Sequence, residues 1–331
     1  MNATTGSEPN GARPAITVAI CTLNRCATLE GALASLLEAR MPEAGWIEVL
    51  VVDNNSTDGT RQLVERYCAR YPRAIRYVFE RRQGLSHARN TAIACARAPI
   101  LAFADDDVLF HPDWAAALLA PFAADPELAC LGGRAVPVFE GGEPPWLTPH
   151  LASIYGATAL GGERKTLRFP EHPYGLNMAF RRRVLEELGG FNPALGRAGT
   201  NLISGDETDL FARADRAGLK TAYTPHAIVS HRIPRSRATR FWAVRRYYWA
   251  GISRAVMHRG VASLSFRERL RWACYELVHL CCMVARRPRS FLRAIRPSDG
   301  ESVETLARAA QRLGAFRAYL IWRGAFQRRA S

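Results

Sequence analysis

Several features that define common protein classes are missing from this chain of 331 residues. No G-x-G-x-x-G or G-x-x-x-x-G-K-[ST] motif follows a predicted strand, so dinucleotide-binding and P-loop proteins lose their main support. The eight cysteines do not form two C-x-x-C pairs at zinc spacing, and we interpret them as reduced thiols of a cytosolic protein. No apolar run reaches the length of a transmembrane helix.

Lysine is almost absent, whereas arginine is concentrated near the C-terminus. The only lysines are Lys165 and Lys220, but 22 arginines and five acidic residues follow position 231, which gives this tail a net charge of +17. Residues 1–231 therefore carry −2 of the total charge of +15, and the basicity says nothing about their function. Residues 1–13 are polar, so we expect a disordered N-terminus rather than a signal peptide.

Apolar strand patterns alternate with helical patterns in the first third of the chain. Strands are predicted at 16–21, 46–52, 75–79 and 100–104, with helices between them at 27–39, 58–70 and 85–97. Strands that are apolar throughout and separated by helices are typical of a parallel sheet covered on both faces. The predicted fold class is therefore α/β, with a parallel-dominated sheet flanked by helices.

The later part of the chain has a more varied pattern. We predict a strand at 128–138, a Gly/Pro-rich loop at 140–172, helices at 182–188 and 207–217, a strand at 221–229 and helices beyond about 240. The apolar segment 272–285 lies between arginines, and two interpretations are open: a helix on an anionic membrane surface, or a helix packed on the rest of the protein. Nucleic acid is disfavoured because no aromatic residues are interleaved in a strand-binding pattern.

Three consecutive aspartates, Asp105, Asp106 and Asp107, end a buried apolar strand. Adjacent carboxylates repel one another and require a counter-charge. In an extended chain Asp105 and Asp107 point the same way, and oxygen ligands at the carboxyl end of a parallel strand suit Mg²⁺ or Mn²⁺. A solvated acidic turn before Pro112 is the alternative, and the apolar context of the strand favours the metal.

Polar residues also follow the first two strands. Asp53 begins a run of amides and hydroxyls that can read a base or ribose, although Ser56 to Asp58 are equally suited to cap a helix. Thr22, Asn24 and Arg25 end the first strand, and Arg25 is suited to a phosphate.

Taken in order, the segments CTLNR, VVDNNSTDGT, GLSHARN and ILAFADDDV resemble the family 2 glycosyltransferases of GT-A fold. The resemblance spans about residues 15–235 and implies an inverting enzyme that transfers a sugar from a nucleotide sugar to an acceptor hydroxyl. It implies that Asp105 and Asp107 hold Mn²⁺ or Mg²⁺. The nucleotide contacts that we predict from it are Thr22, Asn24, Arg25, Asp53, Arg89, Asp105 and Asp106.

The segments YGLNMAFRRRVLEELGGFNPAL and SGDETDLFARADRAG extend this resemblance to the acceptor and the catalytic base. The first implies that Gly175 and Asn177 face the sugar. In the second the usual Glu-Asp order is inverted; Glu207 matches the base by position, and Asp206 is the second candidate. A capping box, Ser204-x-x-Glu207, is the structural alternative.

A histidine after the last predicted strand, His231, matches a family histidine that reaches the metal or the diphosphate, and its alternative is a purely structural role. Arg235, Arg237 and Arg240 follow it and can clamp the diphosphate.

The predicted domain organisation follows from these assignments. We expect a disordered 1–13, a catalytic domain at 14–239 with a nucleotide-binding half (14–108) and an acceptor half (109–239), and a basic helical region at 240–331. The expected partners are a nucleotide-sugar donor, a glycan or lipid-linked acceptor and an anionic membrane surface. Two rival functions stay open: a sugar-phosphate nucleotidyltransferase, and a non-catalytic scaffold that binds nucleotide sugars.

Overall fold

The computed structural model describes residues 13–40, 45–199, 201–258, 263–286, 288–289, 291 and 299–321. Residues 1–12, for which disorder was predicted, and the end of the basic region beyond 321 lie outside the described residues. The predicted domain boundaries therefore stay predictions.

The first part of the chain alternates strands and helices, as predicted. Its elements are β1 (Ile16–Thr22), α1 (Cys26–Leu37), β2 (Ile47–Asp53), α2 (Thr60–Arg70), β3 (Ile75–Phe79), α3 (Leu85–Cys95) and β4 (Ile100–Ala104). The four strands are parallel in the order β3-β2-β1-β4. Every residue of β2 and β4 is buried, because helices cover both faces of the sheet.

The second part adds mixed strands to the same sheet. Its elements are β5 (Val108–Phe110), α4 (Trp114–Ala124), β6 (Leu128–Phe139), α5 (Pro149–Ala152), β7 (Lys165–Leu167), β8 (Asn177–Arg181), α6 (Arg182–Glu187), α7 (Asp206–Arg216) and β9 (Lys220–Ile233). Strand β8 inserts antiparallel between β4 and β6, while β9 runs parallel to β6 and antiparallel to β5 and β7. The strictly parallel arrangement thus holds for the first four strands, and the rest of the described sheet is mixed.

The predicted loop at 140–172 contains ordered structure. It includes α5, a 3-10 turn at Ser153–Tyr155 and β7. Trp146, Leu151 and Tyr155 are buried, and they fix the loop on the sheet through apolar contacts. The loop therefore has a defined position beside the end of β9.

Helices follow residue 240, as predicted: α8 (Arg240–Met257), α9 (Phe266–Arg286) and α10 (Gly300–Ile321). The backbones of α8 and α10 approach closely at two glycines, because a Cβ on Gly251 would lie 1.9 Å from the carbonyl oxygen of Gln311, and one on Gly314 would lie 2.0 Å from that of Tyr248. Helix α8 also stacks Trp242 on Tyr155, with ring centroids 5.1 Å apart. Among the described residues, no helix combines the length and the apolar character needed to cross a membrane.

Candidate active site

A cavity of about 540 Å³ lies where β1 and β4 end and α7 begins. The carboxyl ends of parallel strands are the usual ligand sites of open α/β sheets. Asp105, Asp106 and Asp107 all line this cavity, and so do Asp206 and Glu207 from α7. The two acidic motifs found in the sequence are therefore brought together.

The three aspartates do not continue as an extended strand. Strand β4 ends at Ala104, and the chain turns at Asp106 and Asp107 before β5 begins. The alternation of an extended chain, from which Asp105 and Asp107 were expected to point the same way, therefore does not apply here. Asp105 instead lies 3.8 Å from Arg89, and Asp106 accepts a hydrogen bond from Thr22 at 2.7 Å.

Asp107 is buried among three basic side chains. Its carboxylate lies 3.2 Å from His231 Nε2, 3.2 Å from Arg237 and 3.9 Å from Arg25. Burial raises the pKa of Asp107, but the histidine and the two arginines outweigh burial and hold that pKa below its ordinary value. Asp107 is therefore an anion at neutral pH.

The ring of His231 has a fixed orientation. Its Nδ1 lies 2.7 Å from the carbonyl oxygen of Tyr155, and since a carbonyl can only accept, Nδ1 carries a proton. The Nε2 atom lies 3.2 Å from Asp107 Oδ1. Burial lowers the pKa of His231, but the neighbouring Asp107 carboxylate outweighs burial and raises that pKa above its ordinary value. His231 and Asp107 therefore stabilise each other's charge, and a divalent cation held by both would replace the Nε2 proton.

These two residues fit a divalent cation. Neighbouring ligands in an octahedral Mg²⁺ or Mn²⁺ site are about 3 Å apart, which matches the 3.2 Å between Nε2 and Oδ1. Asp105 does not join them: in the described part of the chain no group of three or more His, Cys, Asp or Glu side chains is arranged to hold a metal. The predicted trio of Asp105, Asp107 and His231 is therefore not arranged as one metal site, and Asp107 and His231 are the two of them that would be close enough to hold a divalent ion together.

Arg89 is the buried centre of the cavity floor. Its Nη1 donates to Asp206 and its Nη2 to the carbonyl oxygen of Gly175 at 3.2 Å. A Cβ on Gly175 would lie 2.6 Å from Nη2, so glycine is needed for this approach. Burial raises the pKa of Asp206, but the charge of Arg89 outweighs burial and lowers it below the ordinary value.

Glu207 differs from its neighbour. Burial, followed by the adjacent charge of Asp206, raises the pKa of Glu207 to about 7. The alternative of a capping box does not hold: helix α7 begins at Asp206 after Gly205, with no side-chain cap, and Ser204 Oγ accepts a hydrogen bond from Arg246 at 3.1 Å. Glu207 therefore does not cap the helix, and it lines the cavity.

Some residues predicted to contact the nucleotide make hydrogen bonds that stabilise loops. Thr22 and Arg25 line the cavity, but Asn24 and Asp53 do not. Asn24 Oδ1 accepts from the backbone N–H of Thr57 at 2.7 Å, and Asp53 accepts from the backbone of Ser56 and from Tyr77. The predicted nucleotide contacts of Asn24 and Asp53 stay predictions, while Asn54, next to Asp53, does line the cavity.

Asn177 is also placed differently from the prediction. Gly175 lines the cavity, whereas Asn177 begins β8 and is buried outside it. Its amide donates to the carbonyl oxygens of Arg134 and Ala227 and accepts from Trp114. With these bonds made, Asn177 holds the sheet together rather than facing a sugar.

The cavity also contains residues that lie outside the quoted motifs. They come from the loop at 140–172, from the segment before α7 and from α8: Ser153, His172, Arg197 and Arg246. Arg197 and Arg246 lie in stretches without a local pattern, so only the charge of arginine could have signalled them.

Comparisons with known proteins identify the family. The model of the family "Glycosyl transferase family 2" matches residues 17–189. The succinoglycan biosynthesis protein ExoM of Rhizobium meliloti is 29% identical over 295 residues, which cover 85% of this chain and 89% of that protein. A glucosyl-dolichyl phosphate glucuronosyltransferase of Haloferax volcanii is 26% identical over 211 residues, 63% of this chain and 66% of that protein.

Solved structures agree on the fold. The mannosyltransferase PcManGT from Pyrobaculum calidifontis, in complex with GDP-Man and Mn²⁺, has a TM-score of 0.60 at 22% identity, covering 94% of this chain and 88% of that chain. GalNAc-T7 with UDP, GalNAc and Mn²⁺ has a TM-score of 0.53 at 19% identity, covering 74% of this chain and 51% of that chain. With a matching family model over half of its length and this architecture, the chain belongs to glycosyl transferase family 2 and has the GT-A fold.

Proposed function

We propose that the chain is an inverting, metal-dependent glycosyltransferase that moves a sugar from a nucleotide-diphosphate sugar to an acceptor hydroxyl. The observation that carries this proposal is the single cavity lined by Glu207 and by the Asp107–His231 pair. It is supported by relatives named as a glucuronosyltransferase and as a mannosyltransferase in complex with GDP-Man and Mn²⁺.

The donor's leaving group gains negative charge as the glycosidic bond breaks. Asp107 and His231 would hold a Mn²⁺ or Mg²⁺ ion, which supplies neutralisation of that charge when it is bound. Arg25 and Arg237 lie within 4 Å of Asp107 and add donors for phosphate oxygens. These residues act on the diphosphate.

The acceptor hydroxyl must lose its proton as it attacks, because its own pKa is far above neutrality. Glu207 is suited to this role, since a pKa of about 7 makes it both available and basic at neutral pH. Asp206 is a poor base because its lowered pKa and its bond to Arg89 stabilise the carboxylate. We assign Asp206 to positioning Arg89. A single displacement with Glu207 as base inverts the anomeric carbon.

The products of turnover test this assignment. The full-length protein is incubated with a panel of nucleotide sugars, Mn²⁺ and glycan or lipid-linked acceptors, and the products are analysed by NMR. We expect a nucleoside diphosphate and a glycoside of inverted configuration. Retained configuration would contradict the proposal, and release of inorganic diphosphate would instead identify a sugar-phosphate nucleotidyltransferase. Absence of transfer and of donor hydrolysis with every nucleotide sugar would favour a non-catalytic scaffold.

We also propose that the acceptor is a glycan or lipid-linked and that the enzyme attaches to an anionic membrane surface on its cytoplasmic face. Helix α9 supports this proposal, because only Ala273 and Glu276 of that helix are buried among the described residues. Phe266 and Val278 are 67% and 57% exposed. The residues that form one exposed apolar stripe at helical spacing are Phe266, Leu270, Cys274, Leu277, Val278, Cys281 and Val284.

Arginines accompany this stripe. Arg267 and Arg271 are exposed one residue after Phe266 and Leu270, and Arg286 ends the helix. An apolar stripe bordered by arginines matches an interfacial helix, in which the apolar side chains enter the headgroup region and the arginines bind anionic lipid. Of the two interpretations of the sequence, the exposed face of α9 favours the membrane.

A further inference from the structure

Five arginines line the cavity, but their surroundings differ. Arg25 and Arg237 lie within 4 Å of Asp107, and Arg89 pairs with Asp206. The other two, Arg197 and Arg246, have no carboxylate within ion-pair distance among the residues that the structure describes. Two positive charges of the cavity are therefore left without a fixed counter-charge.

Arg246 is the more unusual of the two. Its Nη2 donates to the neutral hydroxyl of Ser204, while Nε and Nη1 are shielded from solvent and have no hydrogen-bond partner in the described part of the chain. Burial and then the charge of Arg197 lower the pKa of Arg246 to about 10, so it is still a cation at neutral pH. A desolvated guanidinium with unused donors is the environment in which an oxyanion binds well.

The position of the two arginines indicates which substrate they meet. Arg246 is bonded to Ser204, three residues before Glu207, and Glu207 is the carboxylate that partly offsets its charge. The diphosphate of a donor already has Arg25, Arg237 and the Asp107–His231 pair. Arg197 and Arg246 are thus associated with the residue assigned to the acceptor.

We propose that Arg197 and Arg246 form a subsite for an oxyanion, a phosphate or carboxylate carried by the acceptor. The assignment to the acceptor rests on the proposed function, through Glu207 as the base. The planar forks of two arginines can bind a tetrahedral phosphate or a planar carboxylate with paired hydrogen bonds. The acceptor class is accordingly an anionic one, either a phosphate-linked or an acidic glycan, and neutral glycans are excluded from tight binding.

Anion binding is measurable without turnover. Thermal unfolding of the full-length protein is followed while sulfate, as a tetrahedral probe, or glucuronate, as a carboxylate probe, is titrated, with glucose as the neutral control. Each titration is made with and without saturating nucleoside diphosphate and Mg²⁺. We expect sulfate or glucuronate, but not glucose, to raise Tm in both conditions, and the better of the two to identify the anion.

Variants test whether Arg197 and Arg246 are the residues that bind the anion. Arg246→Met and the exposed Arg197→Met should weaken the apparent affinity for the better probe roughly tenfold or more, which is the loss expected for a charged hydrogen bond. Arg245→Met is the matched control, because Arg245 is exposed on α8 and does not line the cavity. Arg246→Lys keeps the charge if the Met variant fails to fold, and it should retain part of the affinity.

Two outcomes would overturn the subsite. Saturating nucleotide could abolish the anion effect, which would assign both arginines to the donor's diphosphate, or Arg245→Met could lose as much affinity as Arg246→Met. Failure of nucleotide and Mg²⁺ to bind would count against the proposed transferase only, since the titrations without nucleotide still decide whether an anion binds at Arg197 and Arg246.

Discussion

Glu207 and Asp206 are neighbours in sequence but differ in protonation, because only Asp206 meets an arginine directly. We predict that kcat/KM rises about tenfold per pH unit below pH 7 and levels off above it, as expected for a base that must be ionised. Glu207→Gln should lower kcat roughly 10²- to 10⁴-fold and leave donor affinity nearly unchanged. Initial rates from pH 5 to 9 test this, and normal turnover by the Gln variant would remove Glu207 from the role.

The same raised pKa makes Glu207 unfavourable for stability. The folded state keeps the proton up to pH 7, whereas the unfolded carboxyl ionises near pH 4.3, so stability contributed by the protonated form is lost as pH rises through 7. Glu207→Gln should therefore stabilise the protein at pH 8, by on the order of 1 kcal/mol, and have little effect at pH 4. Denaturant unfolding at the two pH values measures this; equal effects at both would contradict it.

A substitution at Gly175 tests whether catalysis depends on the position of the Arg89 guanidinium. Because a Cβ would lie 2.6 Å from Arg89 Nη2, Gly175→Ala should displace the guanidinium and lower kcat by about tenfold or more. Gly162→Ala is the matched control, since nothing lies within 4 Å of its Cβ position. Steady-state kinetics compare the two variants, and equal activity would show that the Arg89 position is not critical.

At single residues, the sequence predicted which acidic and basic side chains share a cavity better than it predicted what each side chain contacts. Asp107, Glu207 and His231 are in one cavity, as their motifs indicated. Asp53 and Asn177 are buried and hydrogen-bonded elsewhere, because a strand end fixes where the backbone is but not whether a polar side chain meets a ligand or a neighbouring loop. The carbonyl partners of Asn177 come from segments 43 and 50 residues away, which no local pattern can reveal.

Among the elements, the helices and strands with a strong local pattern were predictable. The bounds of β3 and β4 agree with the prediction, whereas β5, β7 and β8 were not predicted. Strands β5 and β7 have only three residues each, and β8 relies on antiparallel pairing with β4 and β6, which are distant from it in sequence. Helix α7 begins at Asp206, one residue before the predicted start, but the alternative of a capping box does not hold, since Ser204 bonds to Arg246 and Ser253 instead of capping the helix. Tertiary hydrogen bonds there replace the local one.

Helix α9 gives a prediction at the same scale. Replacing Leu277 and Val278 together by aspartate should reduce binding to vesicles of anionic lipid by about tenfold or more, because both side chains belong to the exposed stripe. Leu313→Asp is the control, an exposed leucine on α10 outside the stripe. Vesicle flotation at low and high salt measures the binding. Equal flotation of both variants, or no preference for anionic over neutral lipid, would contradict the membrane proposal.

For the whole molecule, the parallel first half was predictable because apolar strands alternate with helices along the chain, which is typical of a parallel sheet. The mixed second half was not, since no such alternation indicates that β8 runs antiparallel to β4 or that β9 runs antiparallel to β5. The close contact of α8 and α10, made possible by Gly251 and Gly314, was likewise invisible to a helical pattern.

The thermal stability of the whole protein also tests metal binding. A nucleoside diphosphate with Mn²⁺ should raise Tm, and Asp107→Ala should abolish the part of this shift that depends on Mn²⁺, since ligands that bind only the folded state stabilise it. Glu207→Gln, which leaves Asp107 and His231 intact, is the control and should keep the full shift. An unchanged Mn²⁺-dependent shift in Asp107→Ala would argue against the assigned pair.

The bond that orients His231 comes from the main-chain carbonyl at Tyr155. The geometry of this hydrogen bond therefore depends on the path of the backbone and not on which side chain occupies position 155. A point change of Tyr155 to another aromatic residue leaves the tautomer intact, whereas inserting or deleting one residue between 149 and 155 turns the carbonyl away and frees the ring to rotate. Variation in the length of this segment is therefore far more constrained than variation in its composition.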